Sequence, residues 1–145
     1  MKNLVKTFAV AGLLFASSLT AFAIDKDKLN NAVVENVVEE YVNSSVRGDV
    51  AFVDQLFDEG FTQKFNTETD QPALSRSKFI QQLKRNEGVT YSCDVESQVV
   101  EKSGKYSLAK VTLDFGNFKR TDYLTMVQDA GVWKIKEVNS VFKSK

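Results

Sequence analysis

The spacing of glycine constrains this chain more than any other feature. Six of its seven glycines fall where regular hydrophobic patterning breaks. Gly48, Gly60 and Gly88 each close a segment of helical spacing. Gly104, Gly116 and Gly131 divide the C-terminal part into four segments that alternate as strands do. A residue without Cβ enters left-handed backbone at little cost, which suits helix ends and tight turns. The order predicted is helix, helix, short strand, helix, then a four-stranded antiparallel meander, an α+β arrangement.

The segments themselves support that order. Leu29, Val33, Val34, Val37, Val38, Tyr41 and Val42 form one stripe at about 100° per residue, which predicts a first helix over 25–46. Asp49 is placed to N-cap a second helix that turns Val50, Val53, Leu56 and Phe57 inward. Phe61, Gln63, Phe65 and Thr67 then alternate along a short strand. Ser75 is a candidate N-cap for the third helix, with Leu74 and Phe79 as a hydrophobic staple. In the meander, one face carries Val89, Tyr91, Cys93 and Val95, then Ala109, Val111, Leu113 and Phe115, then Asp122, Leu124 and Met126, then Trp133 and Ile135. One face is covered and the other wetter.

Residues 1–23 read as a secretory signal peptide: Lys2 and Lys6, an apolar run from Phe8 to Ser18, and an Ala21-Phe22-Ala23 cleavage site. A single domain over 24–145, periplasmic or secreted, is expected. The chain has 19 basic and 19 acidic residues, and the leader takes two of the basic ones. A near-neutral, interspersed charge pattern argues against nucleic acid or an anionic membrane as partner. Cys93 is the one cysteine, so no intramolecular disulfide can form; it is either a reactive or chain-joining thiol or a small buried hydrophobe, and strand parity favours the second. Histidine is absent, which excludes His-based acid–base chemistry, Ser-His and Cys-His nucleophiles and most zinc sites. No glycine-rich nucleotide motif occurs, and neither metal nor cofactor is expected. Arg47-Gly48-Asp49 spells an adhesion tripeptide but reads better as helix end, turn glycine and N-cap.

The C-terminal stretch carries a family resemblance. Thr121 to Val127, the turn at Asp129-Ala130-Gly131 and Val132-Trp133-Lys134-Ile135, with Tyr41 and Gly48-Asp49 upstream, resemble the NTF2-like superfamily. Within it they are similar to the SnoaL-like branch and the branch named for lumazine binding. The resemblance spans Leu29 to Phe142. It implies three N-terminal helices packed on a curved, mostly antiparallel sheet, with a conical pocket between them, and often a homodimer through the outer sheet face. Here that face is expected to carry Thr90, Ser92, Lys110, Thr112, Lys134 and Lys136.

Active members of the superfamily place carboxylates beside Tyr or His in the pocket, where burial raises a carboxyl pKa and a phenol can donate to an enolate oxygen. In this chain Tyr41 points toward the expected cone, and Asp122 alone among the strand aspartates shares a face with apolar neighbours. Two readings of this pair stay open: an isomerase or lyase couple, or a core tyrosine bonded to backbone beside an aspartate that orders its strand. Phe61, Phe65, Tyr91 and Trp133 either line a pocket for an aromatic ligand or fill it as core. The leading expectation is an exported domain that binds a small, partly apolar or aromatic ligand through Tyr41, Phe61, Phe65, Tyr91, Asp122 and Trp133, with no catalytic residue assigned. The alternatives are the isomerase or lyase and a dimeric interaction module.

Overall fold

The computed structural model describes residues 28–145. The expected signal peptide and the first residues of the expected helix lie outside the described residues. In chain order the elements are α1 (Val34–Val46), α2 (Val53–Leu56), β1 (Phe57–Asn66), β2 (Leu74–Ser75), α3 (Arg76–Arg85), β3 (Asp94–Ser103), β4 (Tyr106–Asp114), β5 (Phe118–Asp129) and β6 (Val132–Ser144). The strands form one sheet in the order β2-β1-β6-β5-β4-β3. The antiparallel meander from β3 to β6 is present as expected, and β1 joins it parallel to β6.

The expected curved sheet enclosing a cone is not formed. The sheet is open and mixed, with β2 and β3 as separate edges. Closure would require the edges to approach, and β2 offers only two residues to pair with β1. The inner face is instead filled. Tyr41, Val34 and Val37 from α1 are fully buried with Leu124, Met126, Trp133 and Ile135 from the sheet. Side chains therefore occupy the space where the cone was expected.

Several boundaries move for identifiable reasons. The first helix begins at Val34 rather than near residue 25 because the chain before it is bonded elsewhere. The Leu29 N–H donates to Gln55 Oε1 at 3.1 Å, and the Asn31 carbonyl accepts from the Trp133 N–H at 2.8 Å. These bonds anchor Leu29 in the core and replace helical ones. The second helix is a single turn. Asp49 does not cap it but accepts from the Ala51 N–H at 3.1 Å, and Phe57 already belongs to β1. Gly60 consequently lies inside a strand, not after a helix. Ser75 does stand at the N-cap of α3, although its hydroxyl makes no capping bond. Strand β3 starts at Asp94, so Val89, Thr90, Tyr91 and Ser92 lie in the connection ahead of the sheet, and Thr90 and Ser92 are not on its outer face. Cys93 is half-buried against the core.

Candidate functional site

The inner face of β5 carries Arg120, Asp122, Leu124 and Met126 at alternate positions. Asp122 is fully buried, and such a carboxylate must be both paired and hydrogen-bonded. It is. The Tyr41 hydroxyl donates to Asp122 Oδ2 at 2.9 Å, and Arg120 Nη2 donates to the same oxygen at 2.7 Å. Asp122 Oδ1 accepts from Arg120 Nε at 2.9 Å and from Ser140 Oγ at 2.6 Å. Gln63 Nε2 extends the network by donating to Ser140 Oγ at 3.2 Å. Four elements meet here: α1 supplies Tyr41, β1 Gln63, β5 the ion pair and β6 Ser140.

Electrostatics follow from this geometry. Burial raises the Tyr41 phenol far above its usual range, and the Asp122 charge adds to the effect, so Tyr41 is a neutral donor. Burial works against the charge on Arg120, but Tyr41 and Asp122 more than offset it and the guanidinium stays charged. Neither Asp122 oxygen is left open: Oδ1 accepts two hydrogen bonds, and Oδ2 three, the third from Arg120 Nε at 3.1 Å. A general base needs hydrogen-bond reach to the proton it takes, and Asp122 spends that reach on the protein itself.

Arg120 connects this network to a cavity of about 90 Å³. Phe65, Phe79, Leu83, Val89 and Tyr91 form its apolar lining; Ser44, Ser45, Gln63, Gln82 and Asn86 join Arg120 as the polar part. Both serine hydroxyls donate to the Tyr41 carbonyl, at 3.1 and 2.6 Å. The mouth is shaped by a close crossing of two loops. The Gly88 N–H donates to the Gly48 carbonyl at 2.9 Å, and the Tyr91 N–H to the Val46 carbonyl at 2.9 Å. Gly48 adopts φ +70°, and a Cβ there would lie 2.6 Å from the Val89 nitrogen.

Of the residues singled out from sequence, Phe65 and Tyr91 line the cavity, while Tyr41 and Asp122 stand behind Arg120. Phe61 lies in an aromatic cluster, its ring centroid 5.1 Å from that of Phe79. Trp133 is buried in the core, with Lys102 Nζ 5.9 Å from its ring centroid, and takes no part in the cavity lining. The phenol partner of Tyr41 is a carboxylate rather than backbone. Sequence reasoning passed over Arg120, Ser140 and Gln63 as site residues. Arg120 was findable, since it shares parity with Asp122 two positions on. Ser140 was not: strict alternation from Trp133 and Ile135 puts it on the outer face. Lys136 is an extra residue between the pairs Met126–Ile135 and Thr125–Glu137, and this bulge turns Val138 and Ser140 inward.

A family model described as "Putative lumazine-binding" matches residues 29–143. The chain belongs to that family. Its fold is NTF2-like, as solved structures show. An NTF2-like protein of unknown function from Silicibacter pomeroyi is similar at a TM-score of 0.62 and 22% identity, over 79% of this chain and 94% of that one. An NTF2-like protein of unknown function from Shewanella baltica gives a TM-score of 0.60 at 14% identity, over 79% and 93%. A ketosteroid isomerase-like protein from Erwinia carotovora atroseptica gives 0.59 at 14%, over 79% and 97%. No curated protein matches the chain. At these identities the family member shares a fold with its neighbours, and its own residues must carry any statement about function. Among the described residues, no helix is long and apolar enough to cross a membrane.

Proposed function

We propose that this protein binds a small, partly apolar ligand in the Arg120 cavity without transforming it, and that it does so outside the cytoplasm. One observation carries the reading: the cavity presents aromatic and apolar walls and one cation, while the carboxylate paired with that cation is saturated by Tyr41, Arg120 and Ser140. Apolar walls with a few convergent polar groups are the usual make-up of a small-molecule site. An isomerase or lyase built on Tyr41 and Asp122 would have to break into a set of five hydrogen bonds before Asp122 could accept a proton from a substrate.

Native mass spectrometry of the purified protein tests the binding reading. A co-purifying small molecule that protects the amides of 86–91 from hydrogen exchange supports it. A protein that captures nothing from a fragment collection, with the Tyr91 and Phe65 resonances unmoved, overturns it. Export is supported by Lys2, Lys6 and the Ala21-Phe22-Ala23 site, and predicts Ile24 as the first residue of protein recovered outside the cytoplasm. A homodimer through the outer sheet face belongs to the same proposal. That face carries Lys110, Thr112, Lys134 and Lys136 around the exposed Tyr123, and a monomer in sedimentation at micromolar concentration would dismiss it.

A further inference from the structure

Building on the ligand-binding reading above, we propose that the cavity takes a carboxylate headgroup, held by the free edge of Arg120, from a ligand whose apolar body stays at the mouth beside Val89 and Tyr91. The guanidinium uses Nε and Nη2 on Asp122. Among the described residues, Nη1 has no protein partner, and Arg120 lines the cavity, with its side chain 22% exposed. The two N–H groups of Nη1 are thus the donors of the cavity's one cation that Asp122 leaves unused. A carboxylate is the acceptor that a guanidinium edge matches best, through short charge-assisted bonds.

Charge and size point the same way. Arg120 is the one charged residue in the lining, and Asp122 stands behind it. An entering anion therefore meets the cation first and its counter-ion second, and Coulomb attraction falls with distance. A cavity of roughly 150 Å³ accommodates benzene, whereas this one measures about 90 Å³. It holds a headgroup of a few heavy atoms but not a ring. The remainder of the ligand must lie at the mouth, where Val89 and Tyr91 are both more than two-fifths exposed, at 46% and 42%. Exposed apolar side chains beside a polar pocket are where such a body would rest.

Phenylacetate and its neutral isostere phenylacetamide, titrated into the purified ¹⁵N-labelled protein, are the test. Phenylacetate is expected to bind about tenfold more tightly, the scale of one charge-assisted hydrogen bond. It should also shift the Arg120 Nε–Hε resonance together with Tyr91. Arg120→Lys, which keeps a cation opposite Asp122, should remove that preference while binding of the amide persists. Should that variant not fold, Tyr91→Ala at the exposed rim serves instead and should weaken both probes with their ratio retained. Equal or tighter binding of phenylacetamide, or carboxylate binding that leaves Arg120 unmoved, overturns the headgroup assignment and leaves the ligand-binding reading standing. If neither probe nor any neutral apolar fragment perturbs a lining residue, both fall.

Discussion

Tyr41 and Asp122, 81 positions apart, meet in the core at 2.9 Å, phenol to carboxylate. The bond ties α1 to β5 across the inner face of the sheet and fixes where Arg120 can stand. Removing the hydroxyl with Tyr41→Phe should cost about 1.5–3 kcal/mol, as for a hydrogen bond to a charged group. Asp122→Asn leaves Arg120 without its buried counter-ion and should cost about 3–5 kcal/mol. Urea denaturation of the single and double variants should show the double variant less destabilised than the sum, because both changes strike one network. Strict additivity would mean that the network is not coupled.

The crossing at Gly48 yields a second prediction. Gly48→Ala faces two penalties: a left-handed φ, worth about 1–3 kcal/mol of strain for other residues, and a Cβ within 2.6 Å of backbone at Val89. Hydrogen exchange should accelerate first at Gly88 and Tyr91, whose N–H groups bond Gly48 and Val46. An alanine variant with wild-type stability and unchanged exchange there would contradict the geometry.

Glu40 gives the protein a pH dependence of known sign. One of its carboxylate oxygens is buried without a hydrogen-bond partner. Burial raises its pKa, and the neighbouring charges of Asp49 and Glu39 push the same way against the bond from Asn43. The folded protein therefore binds this proton more tightly than the unfolded chain does. Stability should fall as pH rises from the ordinary glutamate range through the raised value, and stay lower above it. Glu40→Gln should melt above the wild type at neutral pH, with the difference closing below about pH 4. A difference independent of pH would show that Glu40 does not titrate in this way.

Trp133 lies fully within the core, 1% exposed, and Trp133→Ala should cost about 3–5 kcal/mol. Phenylacetate affinity of whatever fraction remains folded should be unaffected, since the indole is outside the cavity lining. Loss of affinity without loss of stability would relocate the site.

The strand order of the meander was legible because its signals are local. Alternation in Ala109 to Phe115 and the turns at Gly104 and Gly131 depend only on neighbours in sequence, and the structure repeats them. The start of α1 was not legible. Its stripe extends back to Leu29, and what stops the helix is a bond from the Trp133 N–H to the Asn31 carbonyl, made by a strand a hundred residues on.

By itself, the sequence determined the α+β class, the meander and the inward placement of Tyr41 and Asp122, which follow from periodicity and turn chemistry, and the family, which rests on the resemblance of its C-terminal residues. Tertiary structure alone decided the rest. The parallel pairing of β1 with β6 brings Gln63 near Ser140, the extra residue at Lys136 turns Ser140 inward, and the filled inner face replaces the expected cone with a cavity of about 90 Å³. Register and packing are collective properties: one inserted residue or one long-range bond reverses which side chains face the core, and no local pattern records it.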